Sequence, residues 1–197
     1  MDIKRDLEFL FEIGMLRFVP RTWEQFLHED VQNVSEHNYR VTWIALIIAK
    51  HEHVENHEKI MRMAMVHDVP ESRTGDVHYI SRIYTQRNEH GAIKDQLKNT
   101  QLEKEFIGLF EEYEKRESIE AKIVKDADII DQELELQEQK YKGNKIKDVF
   151  DEKRQAILPN KLFTKTAQQL WQEIQSSNPH DWHIKGRNRF TDGDWQS

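Results

Sequence analysis

The sequence predicts an all-α protein, on three observations. Its 197 residues include only 7 Gly and 4 Pro. Apolar residues recur three and four apart along most of the chain, and no alternating Val/Ile/Thr run or hairpin signal interrupts them. The spacing predicts a first helix over about Leu7 to Phe18, stopped by Pro20. A second begins near Ser35, read as its N-cap, and carries Val41, Ile44, Ala45 and Ile48 on one face. A third carries Ile60, Met63, Ala64 and His67, and Pro70 either ends it or starts the next turn. Longer helices are expected over Glu89–Tyr113, Ser118–Tyr141 and Thr164–Ser176, while Arg73–Tyr84 is the least regular interior stretch. One helical bundle is expected over residues 1–177, followed from Asn178 to Ser197 by an aperiodic polar tail or strap.

Charge and composition then exclude whole classes of function. Lys+Arg number 29 against Asp+Glu 36, a net charge of −7, so the chain has no broad basic surface for a nucleic-acid polymer. A small phosphorylated molecule is compatible, because one metal ion or one Arg makes a local positive spot inside an acidic protein. With no Cys there is no disulfide, no thiolate metal site and no cysteine nucleophile, which fits a reducing compartment. The N-terminus carries charges where a signal peptide is apolar. The wholly apolar run Ile44–Ala49 is too short to span a bilayer. A cytoplasmic protein without a membrane segment is expected.

Two histidines occupy positions meant for apolar residues. One turn back from Val41 on the second stripe lies His37, and the third stripe continues onto His67, so both imidazoles point inward. Asp68 follows His67, and a buried acid is costly unless something cationic compensates it. Each residue alone has an ordinary explanation, a hydrogen-bonded core histidine or a capping acid. Together, imidazole and carboxylate donors from separate helices suit one borderline divalent ion such as Mn, Fe, Co, Ni or Zn. A further carboxylate is available in Ala121–Asp131, where Asp126, Asp128 and Asp131 compete and periodicity does not choose.

Four ordered segments carry a resemblance: Val34-Ser-Glu-His37, His67-Asp68-Val-Pro-Glu71, Gly75-Asp76 and Val124-Lys-Asp-Ala-Asp128. They resemble the HD-domain metal-dependent phosphohydrolases, and Leu16-Arg-Phe-Val-Pro-Arg-Thr-Trp23 and Glu111-Glu-Tyr-Glu114 narrow the resemblance to the 5′-deoxynucleotidase branch. It implies an HD-domain helical bundle, a homodimer, and a deoxynucleoside 5′-monophosphate as the small-molecule phosphate substrate. By the same resemblance His37, His67, Asp68 and Asp128 hold one divalent ion, and Glu71 and Asp76 are catalytic acids. Arg21 holds phosphate, with Lys125 as a second candidate, and Trp23 borders the sugar or base. Glu71 would orient or deprotonate the attacking water, or protonate the leaving 5′-oxygen. Asp76 would bind the ion through water, hold the sugar 3′-hydroxyl, or cap its turn.

The remaining histidines and tryptophans divide differently. His51, His53 and His57 fall in a charged stretch expected to be solvated. His78 and His90 would complete a second metal site if the chain were a di-iron HD-type oxygenase. The other readings are a phosphatase for another small phosphate ester and a non-catalytic helical module with a structural metal. Trp171, Trp182 and Trp195 read as packing residues or a tail anchor.

Overall fold

A computed structural model describes residues 3–157 and 160–186, and among these the regular elements are all helical. In chain order they are α1 (Ile3–Ile13), α2 (Glu24–Leu27), α3 (Val34–His51), α4 (His57–Val66), α5 (Glu71–Thr74), α6 (Glu89–Leu97), α7 (Glu103–Lys115), α8 (Ile119–Tyr141), α9 (Ile146–Ile157), α10 (Lys165–Ser176) and α11 (Asp181–Ile184). Two 3-10 segments, Gly14–Phe18 and Ser81–Ile83, join them. No helix among the described residues is long and apolar enough to cross a membrane.

The axis of the bundle is α8. Ser118 starts it by accepting the Ala121 amide at 3.2 Å, and α3, α4, α7, α9 and α10 pack around it, so burial runs over most of its circumference. The predicted stripes meet there: Val41, Ile44 and Ile48 of α3, Ile60 and Met63 of α4, and Ile123, Ala127 and Ile130 of α8 share one core. Each such side chain contributes about 1.5–3 kcal/mol on burial.

Several boundaries differ from the sequence expectation. Asn33, not Ser35, caps α3: its Oδ1 accepts the Glu36 amide and Glu36 Oε2 accepts the Asn33 amide, both at 3.0 Å. The first helix gives way to a 3-10 turn at Gly14. The helix expected over Glu89–Tyr113 is two, α6 and α7, because Asn99 takes a left-handed conformation (φ 63°) and its amide is held by Glu103. Pro70 sits at the N-cap of α5 and so starts a turn. The sequence reading assigns no element between Tyr141 and Thr164, where α9 forms. In the expected aperiodic tail, Asp181–Ile184 is a helical turn, and residues 187–197, with Trp195, lie outside the described residues. Trp171 is core, whereas Trp182 is exposed and packs nothing into the bundle.

One carboxylate of α8 is purely structural. Asp126 accepts hydrogen bonds from the amides of Phe163 (2.9 Å) and Thr164 (2.8 Å) and from Thr164 Oγ1 (2.7 Å). Thr164 in turn caps α10 by accepting the Ala167 amide. Asp126→Ala should therefore lower stability by about 1–3 kcal/mol, the cost of leaving buried donors unsatisfied. The check is a thermal melt, in which about 2–4 °C is lost per kcal/mol in a chain of this size, with the bound-metal content unchanged.

Candidate metal centre and phosphate site

Two helix ends and the middle of α8 converge on one point. His37 lies in the first turn of α3, His67 ends α4 with Asp68 beside it, and Asp128 lies on the α8 face opposite the α10 contact. His37 is fully buried and His67 nearly so. His67 Nδ1–H donates to the Ala64 carbonyl at 2.7 Å, and His37 Nδ1–H to Asp131 Oδ2. Both tautomers are thereby fixed with Nε2 turned inward.

Both Nε2 atoms are buried without a hydrogen-bond partner. His37 Nε2 stands 3.3 Å from Asp128 Oδ1 and 3.4 Å from Asp68 Oδ2, and His67 Nε2 stands 3.3 Å from the same Asp68 oxygen. Donor atoms of His37, His67 and Asp128 all lie within 4.8 Å of one another. Ligands bonded at about 2.0–2.2 Å to one ion are necessarily about 3–3.5 Å apart at ordinary coordination angles, so the residues fit a divalent cation. The electrostatics agree. Burial and Arg21 pull the His37 proton off, yet the carboxylates of Asp128, Asp131 and Asp68 carry its pKa up to about 10. Burial opposes ionisation of Asp128, but Lys125 and the two imidazoles hold it well below the usual carboxylate range. Burial lowers the His67 pKa against the opposing charges of Asp68 and Asp128.

Beside this cluster, the Pro20–Trp23 turn and the Gly75–Asp76 turn come together. Arg21 is buried, not a surface residue, and its Nη1 lies 3.6 Å from Asp68 Oδ2 and its Nε 3.8 Å from Asp76 Oδ2. Gly75 adopts φ 71°, a conformation that favours glycine, and delivers Asp76 to accept from Thr22 N (2.9 Å) and Thr22 Oγ1 (3.2 Å). Asp76 thus ties the two turns together. Lys125 Nζ donates to Asp128 Oδ2 at 2.7 Å. Glu71 is buried at the start of α5; Arg87 donates to its Oε1 at 3.0 Å, while Oε2 has no partner. Burial, with the nearby charges of Asp68 and Asp76, pushes the Glu71 pKa up to about 9. Arg21, Trp23, Asp76 and Lys125 all line one cavity of about 420 Å³.

Sequence reasoning missed the supports. Asp131 holds His37 and is itself held by Gln32 and Arg40; an Asp three residues after Asp128 is the one signal it offered. Arg87 in an irregular loop gave none, and Tyr113, whose ring meets His67 edge-on at 5.3 Å, stood out only as part of the Glu111–Glu114 motif, without a role. His78 and His90 do not join the cluster: His78 bonds Gln25 and Ser81, and His90 meets Phe110. His51 and His53 are exposed, as expected of a solvated stretch, while Glu52 beside them accepts the Thr166 amide.

Fold and site together define a helical metal-binding protein whose imidazole and carboxylate donors adjoin a cationic cavity. A family model described as HD domain matches residues 13–173, and the chain belongs to the HD-domain family. It is 37% identical over 154 residues to the Bos taurus 5′-deoxynucleotidase HDDC2, covering 74% of each chain. It is 36% identical over 154 residues to the Homo sapiens protein of the same name, again covering 74% of each. Among solved structures it is similar to a conserved hypothetical protein from Pyrococcus furiosus, with a TM-score of 0.69 and 27% identity over 87% of this chain and 99% of that one. The family implies a divalent metal, and the cluster just described is where these residues could hold it.

Asp131→Asn should weaken divalent-ion affinity about 10–100-fold, the usual cost of losing a carboxylate behind a ligating imidazole. Chelator competition measures it. His78→Ala and His90→Ala should leave elemental analysis at about one ion per chain, the number a single mononuclear cluster holds.

Proposed function

We propose that this chain is a metal-dependent phosphohydrolase that removes the 5′-phosphate from deoxyribonucleoside monophosphates. The observation that carries the reading is a set of buried, unpartnered atoms of opposite character, the Nε2 atoms of His37 and His67, Arg21 Nε and Glu71 Oε2; His37, His67 and Arg21 all approach Asp68 within 3.3–3.6 Å. Relatives named 5′-deoxynucleotidase at 36–37% identity support the substrate class. His37, His67, Asp68 and Asp128 would hold the ion, which when bound supplies an activated water and a polarised phosphoryl group. Its donor set suits Mn, Fe, Co, Ni or Zn.

The chain's own residues do the rest. Arg21 presents its guanidinium to the phosphate, a planar fork suited to two oxygens. Lys125, beside Asp128, adds positive charge on the same side. Asp76 orients Arg21 and the Thr22 amide. Glu71, with one oxygen fixed by Arg87 and the other free, moves the proton. Trp23, which lines the same cavity as Arg21, would border the sugar or base.

The protein is further proposed to work as a cytoplasmic homodimer. The absence of Cys suits a reducing compartment. Ile3, Leu7, Leu10 and Phe11 of α1 form an outward apolar stripe, 50–79% exposed, that a second copy would cover. Sedimentation velocity should report a dimer that Phe11→Glu converts to monomer.

The functional test is phosphate release from paired deoxy and ribo 5′-monophosphates by protein stripped of metal and reloaded with each candidate ion, with the deoxy series preferred. Glu71→Gln should lower turnover about 10²- to 10⁴-fold, the scale of general acid–base catalysis, and keep the metal. Equal loss of both would make Glu71 a ligand. Arg21→Ala should weaken binding of 5′-monophosphates by about 1.5–3 kcal/mol, the scale of a charge-assisted hydrogen bond. Arg21→Lys should recover only part, because an ammonium lacks the fork.

A further inference from the structure

The cavity beside Arg21 has a wall that the histidine-bearing helices do not supply. Trp23 precedes α2, Tyr79 follows the Gly75–Asp76 turn, and Phe150 lies on α9, yet all three line the same space. The Phe150 ring meets Trp23 edge-on with centroids 5.8 Å apart and Tyr79 edge-on at 6.5 Å. Tyr79 is backed by Phe26, stacked at 5.6 Å. Three segments distant in sequence therefore make one continuous aromatic surface.

That surface is held in place from behind. Glu133 of α8 is fully buried and receives Lys147 Nζ at 3.0 Å and Arg154 Nε at 2.7 Å, both from α9. Gln175 of α10 donates to Glu133 Oε1 at 3.1 Å. The Arg154 guanidinium also lies 5.9 Å from the Trp23 ring centre and 5.3 Å from that of Trp171. Breaking a buried pair of this kind by removing one partner is strongly unfavourable, so α9 keeps a fixed relation to the helix that carries Asp128.

The aromatic surface is not consumed by packing. Trp23 and Phe150 are only half-buried and Tyr79 is 55% exposed, all on a cavity that also holds Arg21 and Asp76. A rigid aromatic face opening into a concave site beside an anion-binding guanidinium matches a ligand with a planar ring joined to a phosphate. Every nucleobase offers a π-face to such a wall. We infer that Phe150 and Tyr79, together with Trp23, form a stacking wall for the nucleobase, so that α9 selects nucleotides over phosphate esters lacking a base. The inference rests on the nucleotidase reading for the identity of the ligand.

The test uses the full metal-loaded chain with 2′-deoxyadenosine 5′-monophosphate and 2-deoxyribose 5-phosphate, which differ by the base. Phe150→Ala should lower kcat/KM for the nucleotide about 5- to 100-fold more than for the sugar phosphate, the scale of one lost base–aromatic stack, with the change in KM. Tyr79→Ala should move the same ratio in the same direction, and Phe150→Trp should restore it. In parallel, calorimetric binding of 2′-deoxyadenosine, which has no phosphate, should weaken in Phe150→Ala. A ratio and a nucleoside affinity that neither alanine variant changes would overturn the wall. If the chain hydrolyses neither ester but binds deoxyadenosine through Phe150, the wall stands and the phosphohydrolase reading falls.

Discussion

The structure depends on burying carboxylates next to imidazoles at the meeting point of α3, α4 and α8. Asp68, Asp128 and Asp131 surround His37 in a nearly dry pocket. Negative charge so placed is unfavourable by several kcal/mol per ion unless a cation answers it. The inward Nε2 atoms of both His37 and His67 are buried there without a hydrogen bond. A divalent ion meets the whole requirement, neutralising the acids and engaging both lone pairs. The helix packing, which places these groups 3.3–3.4 Å apart, is thus inseparable from the chemistry they would support.

The same helix serves opposite demands through register. Along α8, Asp126 faces α10 and anchors its N-terminus, Asp128 faces the two histidines, Asp131 stands behind His37, and Glu133 grips α9. Successive acids at 100° per residue reach different neighbours because α8 is enclosed on nearly all sides. Each finds its own donor or cation, which is the condition under which buried carboxylates are tolerated.

That enclosure also explains what the sequence could and could not reveal. His37 and His67 were legible because each interrupts an otherwise apolar stripe. Asp126 and Asp128 were not separable by periodicity, since both are buried, and what distinguishes them is that Phe163 and Thr164, far along the chain, donate to Asp126. The α9 helix escaped notice for a related reason. Among its described side chains the deepest is Lys147, only 1% exposed, and it docks by ion pairs with Glu133, to which an apolar-periodicity reading is blind. The break between α6 and α7 rests on one left-handed Asn, a local choice that helical propensity on either side conceals.

As the proposed phosphate residue, Arg21 would let an acidic protein attract its substrate. Its guanidinium is buried among acids, yet its approaches to Asp68 and Asp76, 3.6 and 3.8 Å, are longer than hydrogen bonds, and Nε has no partner. The acids keep it charged and aimed without saturating its donors. Under the proposed function, a phosphate oxygen entering the cavity would meet N–H groups already desolvated and oriented, so that little reorganisation would oppose binding. With a net charge of −7, attraction for an anion has to be local, and the Arg21 and Lys125 side chains that line this cavity supply such a spot.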